Sequence, residues 1–236
     1  MDSVTSEMPQ LSVVIPVYNE RGNLQPLIDE AERTLAGRMR FEVVVVDDGS
    51  DDGTDGEAAA LASNRAWLRV QTHHGNRGQS AAIRTGVLAA RAPTVAVLDG
   101  DGQNDPADIP RLYATLQLSG DSMAVGERRV RRDHWVRRMS SRIANNVRSM
   151  LLRDGIRDTG CGLKVFRRQD FLALPAFDHM HRFLPALVQY RGGRIRTVPV
   201  NHRPRRCGKS KYGIRNRLFA GIVDLFGVMW LTRRQL

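Results

Sequence analysis

Asp99, Asp101 and Gln103 stand two residues apart, directly after the apolar run at residues 94–98, in the stretch TVAVLDGDGQNDP. All three carry side-chain oxygens, and in an extended segment alternate side chains point the same way. Two carboxylates and a carboxamide on one side of the chain suit a hard divalent cation such as Mg²⁺ or Mn²⁺, a cation that proteins often share with substrate phosphates. Gly100 and Gly102 allow a tight turn between them and keep bulk away from an approaching ligand. Taken alone, the stretch is explained equally well as a solvated acidic turn.

Three other stretches carry functional groups. Residues 16–20 (PVYNE) hold Tyr18, whose ring can stack on a base, and Glu20, which can accept from a ribose hydroxyl; turn chemistry ahead of a helix is the plainer reading. A second apolar run leads into Asp47, Asp48, Gly49, Ser50, Asp51, Asp52, Gly53 and Thr54. A carboxylate there can accept from a base N–H, as acidic residues accept from sugar hydroxyls in dinucleotide folds, and the same residue types cap helices. No G-x-G-x-x-G phosphate loop accompanies it. Asn76, Arg77, Gly78, Gln79 and Ser80 open a helix that carries Arg84; such a helix start can face phosphate or simply pack.

These groups need a scaffold that brings them to one edge. The apolar runs at 11–15, 41–46, 67–72 and 94–98 read as strands, the first stopped by Pro16. Between them, Leu24, Leu27, Ile28, Ala31 and Leu35 recur at helical spacing, an alanine-rich helix runs to about residue 65, and another spans 78–90. The alternation predicts an α/β fold with a mainly parallel sheet and helices on both faces, its acidic turns at one sheet edge. A helix at 106–118, strands at 122–126 and 194–200, a turn into a strand at 158–166 and a helix at 181–190 follow. The expected organisation is a disordered N-terminus (1–9), a catalytic domain (10–200), and a basic active-site loop with a C-terminal amphipathic helix (201–236).

The 236 residues include 42% hydrophobic and 26% charged side chains, which is globular composition, and the net charge is +11. A surplus of that size favours anionic partners. Arginines crowd residues 127–153, interleaved at helical spacing with Trp135, Met139, Ile143, Val147 and Met150, as in a basic amphipathic helix. Cys161 and Cys207, with no secretory signal ahead of them, predict no structural disulfide. No stretch approaches the ~20 apolar residues of a membrane span. No helix-turn-helix, zinc or ribonucleoprotein signature is present, and an acidic sheet edge repels a phosphate backbone, so nucleic acid is not expected as a partner.

In this order and spacing, SVVIPVYNE, VVVVDDGSDDGT, NRGQSAAIRTG and VLDGDGQNDP resemble family 2 glycosyltransferases of the Rossmann-like GT-A fold. GERR, WVRRMSSRIAN, DTGCGLKVFRR, HRFLPAL and VPVNHRPRRCGKSKYG resemble the polyprenyl-phosphate branch, the dolichol-phosphate mannosyltransferase-like enzymes. The resemblance covers residues 10–232. It implies inverting transfer of a sugar from a nucleotide-diphosphate sugar to a polyprenyl (undecaprenyl or dolichyl) phosphate. It also implies that Asp99, Asp101 and Gln103 hold Mg²⁺ or Mn²⁺ on the donor diphosphate, and that Pro16, Tyr18, Glu20, Asp47, Asp48, Asp99 and Gly100 surround the nucleotide sugar. Arg128, Arg137, Arg138 and Ser141 match the acceptor-phosphate region, the choice between Arg137 and Arg138 staying open. Arg205, Ser210 and Lys211 match a loop that closes over both phosphates, and Asp99, Asp101, Arg128 and Arg205 carry the catalytic expectation. Asp158 is read as structural; His181, Arg182 and Phe183 match a family position without a role.

The residue chemistry fits that branch. A sugar hydroxyl needs a general base, whereas a phosphate monoester is already an anion and needs cations that position it. After Asp178 the only carboxylate is Asp224, among many arginines. The alternative is a family 2 glycosyltransferase acting on a saccharide or protein hydroxyl in cell-envelope polysaccharide synthesis; the Q-x-x-R-W motif of many polymerising members is absent. Basic charge and amphipathic helices together predict a peripheral enzyme on the cytoplasmic face of the cell membrane, held to an anionic surface, with a membrane-protein partner left open.

Overall fold

The computed structural model describes residues 8–128, 151–152, 155–156, 158–205 and 214–234. Seven strands form one sheet: β1 (Leu11–Val17), β2 (Phe41–Asp47), β3 (Leu68–Thr72), β4 (Thr94–Val97), β5 (Met123–Arg128), β6 (Lys164–Arg167) and β7 (Ile195–Val200). Their order is β3-β2-β1-β4-β6-β5-β7. The strands β3, β2, β1 and β4 are mutually parallel, β7 is parallel to β5, and β6 runs antiparallel to both β4 and β5. The helices are α1 (Leu24–Leu35), α2 (Thr54–Ser63), α3 (Gln79–Ala89), α4 (Ile109–Ser119), α5 (Arg168–Leu172), α6 (Leu184–Tyr190) and α7 (Ile214–Arg234).

Near-continuous apolar strands bury both faces, and the period of two divides them. Val13, Ile15, Val43 and Val45 pack with Leu27 and Ile28 of α1, Leu61 of α2 and Leu112 of α4. Val14, Val44 and Val46 pack with Ile83 and Val87 of α3, Leu187 of α6 and Val228 of α7. The mainly parallel, two-faced sheet expected from the sequence is the one observed.

Pro16 does not stop β1, which continues to Val17 opposite Asp47. The ladder explains why. Val14 C=O accepts from Leu98 N on the β4 side, while Val17 C=O accepts from Asp48 N on the β2 side. Pro16 therefore faces the β4 side beyond the last rung of that ladder, Val14 opposite Val97, where a missing N–H breaks no strand pairing. The fifth strand also outruns its expected end at residue 126, so Arg128 is the last residue of a strand. The expected helices at 106 and 181 each begin as a 3₁₀ turn, Pro106–Asp108 and Met180–Arg182. The expected basic helix within 127–153 lies almost wholly outside the described residues, as do residues 1–7 of the expected disordered terminus.

The last helix runs to Arg234. One side of it is docked, with Leu225 and Val228 buried and Asp224 Oδ2 2.9 Å from His179 Nδ1. On the other side Val223, Phe226 and Trp230 are 54, 61 and 60% exposed. Arg234 lies 5.5 Å from the Trp230 ring centroid. Among the described residues no helix is long and apolar enough to cross a membrane.

Candidate active site

Parallel pairing of β1, β2 and β4 brings the segments after Val17, Asp47 and Val97 to one edge, the binding edge of open α/β sheets. Asp99 is half-buried there. Its Oδ1 accepts from Gln79 Nε2 at 2.9 Å, and Asn104 Nδ2 lies 3.5 Å from Oδ2. Burial, with the Asp101 charge adding to it, pushes its carboxyl up to about 6 against the pull of Lys164 and Arg128. Gly100 fits closely against β1: a Cβ there would stand 2.6 Å from Val17 Cγ1 and 3.1 Å from Pro16 O. Asp101 Oδ1 accepts from Gln103 N at 3.0 Å, and Oδ2 accepts from Arg205 Nη2 at 2.8 Å. Glu20 Oε1 lies 3.9 Å from Arg205 Nη1 and its Oε2 accepts from Asn23 at 2.8 Å.

The other expected carboxylates at this edge serve the loops. Asp48, buried, accepts from Arg77 N at 3.0 Å and Gly78 N at 2.8 Å, and its Oδ1 is 2.6 Å from His73 Nδ1. Asp47, also buried, accepts from Ser50 Oγ and Ser50 N. Asn19, at positive φ, is tied to Ser50 and Asp51. Asp47 and Asp48 thus hold the rim in shape, and Tyr18 and Glu20 stand on the adjoining loop.

Arg128, expected from the sequence on the acceptor side, stands across β6. Arg128 Nε and Nη2 each donate to Asp158 at 2.7 Å, a two-pronged ion pair with little solvent exposure. Asp158 begins the turn that leads into β6, and the turn touches both halves of the site. A Cβ on Gly160 would stand 3.2 Å from Arg128 Nη2, and one on Gly162 only 1.9 Å from Asp99 Oδ2. Cys161 Sγ approaches Asn104 Oδ1 at 3.7 Å, and burial pushes its thiol up to about 11, so it is chemically quiet. Lys164, almost fully buried, donates to Cys161 O; burial lowers its pKa while Cys161, Asp99 and Asp158 oppose that fall.

The segment after β7 returns to the acidic turn. Asn104 and His202 form an antiparallel bridge, and Arg203 N donates to Gln103 O at 2.8 Å. Arg203 pairs with Glu30 at 2.5 Å and Asp105 at 2.7 Å. These ties anchor the stalk that carries Arg205 to Asp101. His181 Nδ1 is 2.7 Å from Ser80 Oγ, which braces the start of α3, where Gln79 reaches Asp99. Phe183 is core, and Arg84 Nη1 is enclosed without a hydrogen-bond partner among the described residues.

Two carboxylates and one primary amide offer side-chain oxygens on a single turn. The chemistry of that set fits a hard divalent cation. With Arg128 fixed across one strand, the edge can hold an anionic leaving group against one cluster and an anionic nucleophile against the other.

A family model described as "Glycosyl transferase family 2" matches residues 12–174. The chain belongs to glycosyl transferase family 2. This glycosyltransferase is 35% identical over 229 residues to a dodecaprenyl-phosphate galacturonate synthase of Rhizobium johnstonii, covering 95% of this chain and 68% of that protein. It is 36% identical over 211 residues to an undecaprenyl-phosphate 4-deoxy-4-formamido-L-arabinose transferase of Edwardsiella ictaluri, covering 86% of this chain and 63% of that one. The chain thus spans about two thirds of the length of these relatives. Its fold is that of Mycobacterium tuberculosis glucosyl-3-phosphoglycerate synthase crystallised with Mg²⁺ and uridine diphosphate. The TM-score is 0.72 at 20% identity, over 93% of this chain and 80% of that one.

Of the expected residues, the glycosyltransferase brings together Asp99, Gly100, Asp101, Gln103, Glu20 and Arg205, with Arg128 across β6. Arg137, Arg138, Ser141, Ser210 and Lys211 lie outside the described residues. Sequence reading placed Gln79 at a helix start without linking it to Asp99, and missed Asn104, Gly162, Lys164 and Arg203. The stretch DTGCGLKVF held the signal for two of them: a small residue and a lysine around the turn into a strand.

Proposed function

We propose that the protein transfers a sugar from a nucleotide-diphosphate sugar to a polyprenyl phosphate, with inversion, at the cytoplasmic face of a membrane. The observation that carries this reading is the Arg128–Asp158 fork. It presents a fixed cation beside the cation set, held by an internal carboxylate, where a phosphate nucleophile needs positioning rather than deprotonation. The polyprenyl-phosphate acceptors in the relatives' names support the same acceptor class.

Asp99, Asp101 and Gln103 would hold a divalent cation, which would supply positive charge against the departing nucleotide diphosphate. Gln79, Asn104 and Gly162 fix the Asp99 carboxylate for that purpose. Arg205, on its anchored stalk, reaches Asp101 and would face a diphosphate held beside it. Arg128 orients the acceptor phosphate for attack on the anomeric carbon; an acceptor that is already charged lets the transfer proceed without a general base. The exposed apolar stripe of α7, ending in Arg233 and Arg234, fits an anionic membrane surface that delivers the lipid.

The test is acceptor profiling with UDP- and GDP-sugars and Mn²⁺, using undecaprenyl phosphate, undecaprenol and free saccharides as acceptors. Transfer to the phosphate and not to the alcohol is expected. Transfer to saccharide hydroxyls with none to lipid phosphate overturns the reading.

A further inference from the structure

At the sheet edge opposite the acidic turns, the starts of β1 and β4 meet the end of β6. They meet because β6 runs antiparallel, which sets Arg167 opposite Thr94. β1 alone spans roughly 20 Å between the two edges. A cavity of about 690 Å³ opens at this far edge, within the size range of small-molecule sites. Arg40, Arg91, Arg167 and Arg168 all line it, together with Tyr113 and Gln117 of α4. Among the described residues no carboxylate lines it.

The cations of this cavity are held by neutral groups. Arg168 Nε donates to Val87 O at 2.9 Å and its Nη2 to Leu88 O at 3.0 Å, both in the last turn of α3. Arg167 Nε donates to the backbone O of Asp121 at 3.4 Å, while the Asp121 carboxylate goes to Arg194 and Arg196. Glu42 accepts from the backbone N of Arg91 and pairs with Arg69, and it leaves the exposed Arg91 guanidinium without a partner among the described residues. Both Nη groups of Arg91 and of Arg167, and Nη1 of Arg168, thus stay open to an anion. Elsewhere the arginines meet carboxylates: Arg65 meets Asp29, Arg128 meets Asp158, and Arg203 meets Glu30 and Asp105.

Carbonyls orient a guanidinium without cancelling its charge, so the cluster is both fixed and uncompensated. Like charges around a concavity focus a positive potential into it. Guanidinium forks match phosphate oxygens in geometry as well as charge.

We propose that this cavity is a second anion site, separate from the acidic turns, and that it takes phosphate. The phosphate comes from a soluble polyphosphate or from the headgroups of an anionic lipid surface. The inference does not rest on the transfer reaction. A ligand bound there ties the start of β4 to the end of β6 and stabilises the folded chain by mass action.

The experiment measures binding of inorganic tripolyphosphate to the full chain by titration calorimetry without divalent cation. It is run at about 0.15 M salt, where surface charges are screened beyond about 8 Å. Wild type is expected to bind. Arg91→Gln and Arg167→Gln are each expected to weaken binding by about ten-fold or more, and Arg205→Gln, at the acidic turn, by less than about two-fold. Basal sugar transfer by Arg91→Gln stays that of wild type. Absence of binding in wild type overturns the proposal, as does binding that Arg205→Gln removes and Arg91→Gln leaves unchanged. If Arg167→Gln does not fold, the exposed Arg91 decides alone. Co-sedimentation with phosphatidylglycerol vesicles separates the two sources. If Arg91→Gln weakens vesicle binding and tripolyphosphate competes with the vesicles, the site reads lipid headgroups. If Arg91→Gln loses tripolyphosphate and keeps the vesicles, its ligand is soluble.

Discussion

Asp158 grips Arg128 with two hydrogen bonds of 2.7 Å, one to each carboxylate oxygen, from Nε and Nη2. The geometry uses the planar fork that only arginine offers, so Arg128→Lys keeps the charge and loses the alignment. Asp158→Asn and Arg128→Lys are expected to lower kcat/KM for the lipid phosphate by about 100-fold, the scale of a 1 Å misplacement. Nucleotide binding, followed by thermal shift, stays near wild type. Equal loss on the donor side would show that the pair merely supports the fold.

Gly162 leaves no space for a side chain, since its Cβ would overlap Asp99 Oδ2 at 1.9 Å. Gly162→Ala is expected to displace that carboxylate and reduce transfer by about 100-fold at saturating substrate. Gly56, in α2 with nothing within 4 Å of its Cβ position, is the control. Gly56→Ala leaves activity unchanged and raises stability by about 0.5–1 kcal/mol in urea unfolding.

Asp48 accepts from two backbone N–H groups and touches the buried His73, so its removal leaves two half-buried loop donors and that ring without their partner. Asp48→Ala is expected to cost about 3 kcal/mol of folding stability. Chemical denaturation measures it; a full-stability variant defective only in nucleotide binding would instead assign this carboxylate to the base.

Burial raises the Asp105 carboxyl, but the Ala107 N–H and Arg203 outweigh it and hold it below the ordinary value of 3.8. A depressed carboxyl stabilises the fold above its unfolded pKa, and the contribution fades as pH falls through the folded value. The stability difference between wild type and Arg203→Gln is therefore expected to be full above pH ~4 and to shrink in more acidic solution. Urea midpoints across pH 2.5–7, a range chosen about that value, check it.

Phe226 and Trp230 point away from the core on α7. The double substitution Phe226→Ser, Trp230→Ser is expected to release the protein from anionic vesicles in co-sedimentation at low salt and to leave the thermal midpoint unchanged. Retention on vesicles by the variant sinks the role of this stripe.

The parallel half of the fold was legible because β1, β2 and β4 are buried on both faces and read as unbroken apolar runs. Pro16 misled only because ladder position, not residue type, decides whether its missing N–H matters. The acidic turn was legible for the same local reason: Asp99, Asp101 and Gln103 carry their chemistry within five residues. Asp48 and Lys164 were not. Each owes its role to a partner far along the chain, His73 and Gly78 for one, the Asp99 edge for the other, and no local spacing encodes a long-range rung such as Val97 opposite Lys164.

One strand alone joins the two halves of the sheet. The four parallel strands lead into the carboxylates assigned to the donor, β5 ends in the Arg128 assigned to the acceptor, and β6 is the seam between them. Neighbouring strands lie about 4.8 Å apart, so Val97 of β4 and Val125 of β5, both opposite Lys164, stand roughly 10 Å from each other. That gap acts as a ruler. It is wide enough for one sugar ring between two phosphate-bearing partners, and its width is set by the backbone rather than by any side chain. Side chains around the rim can therefore change while the spacing between the two clusters stays the same.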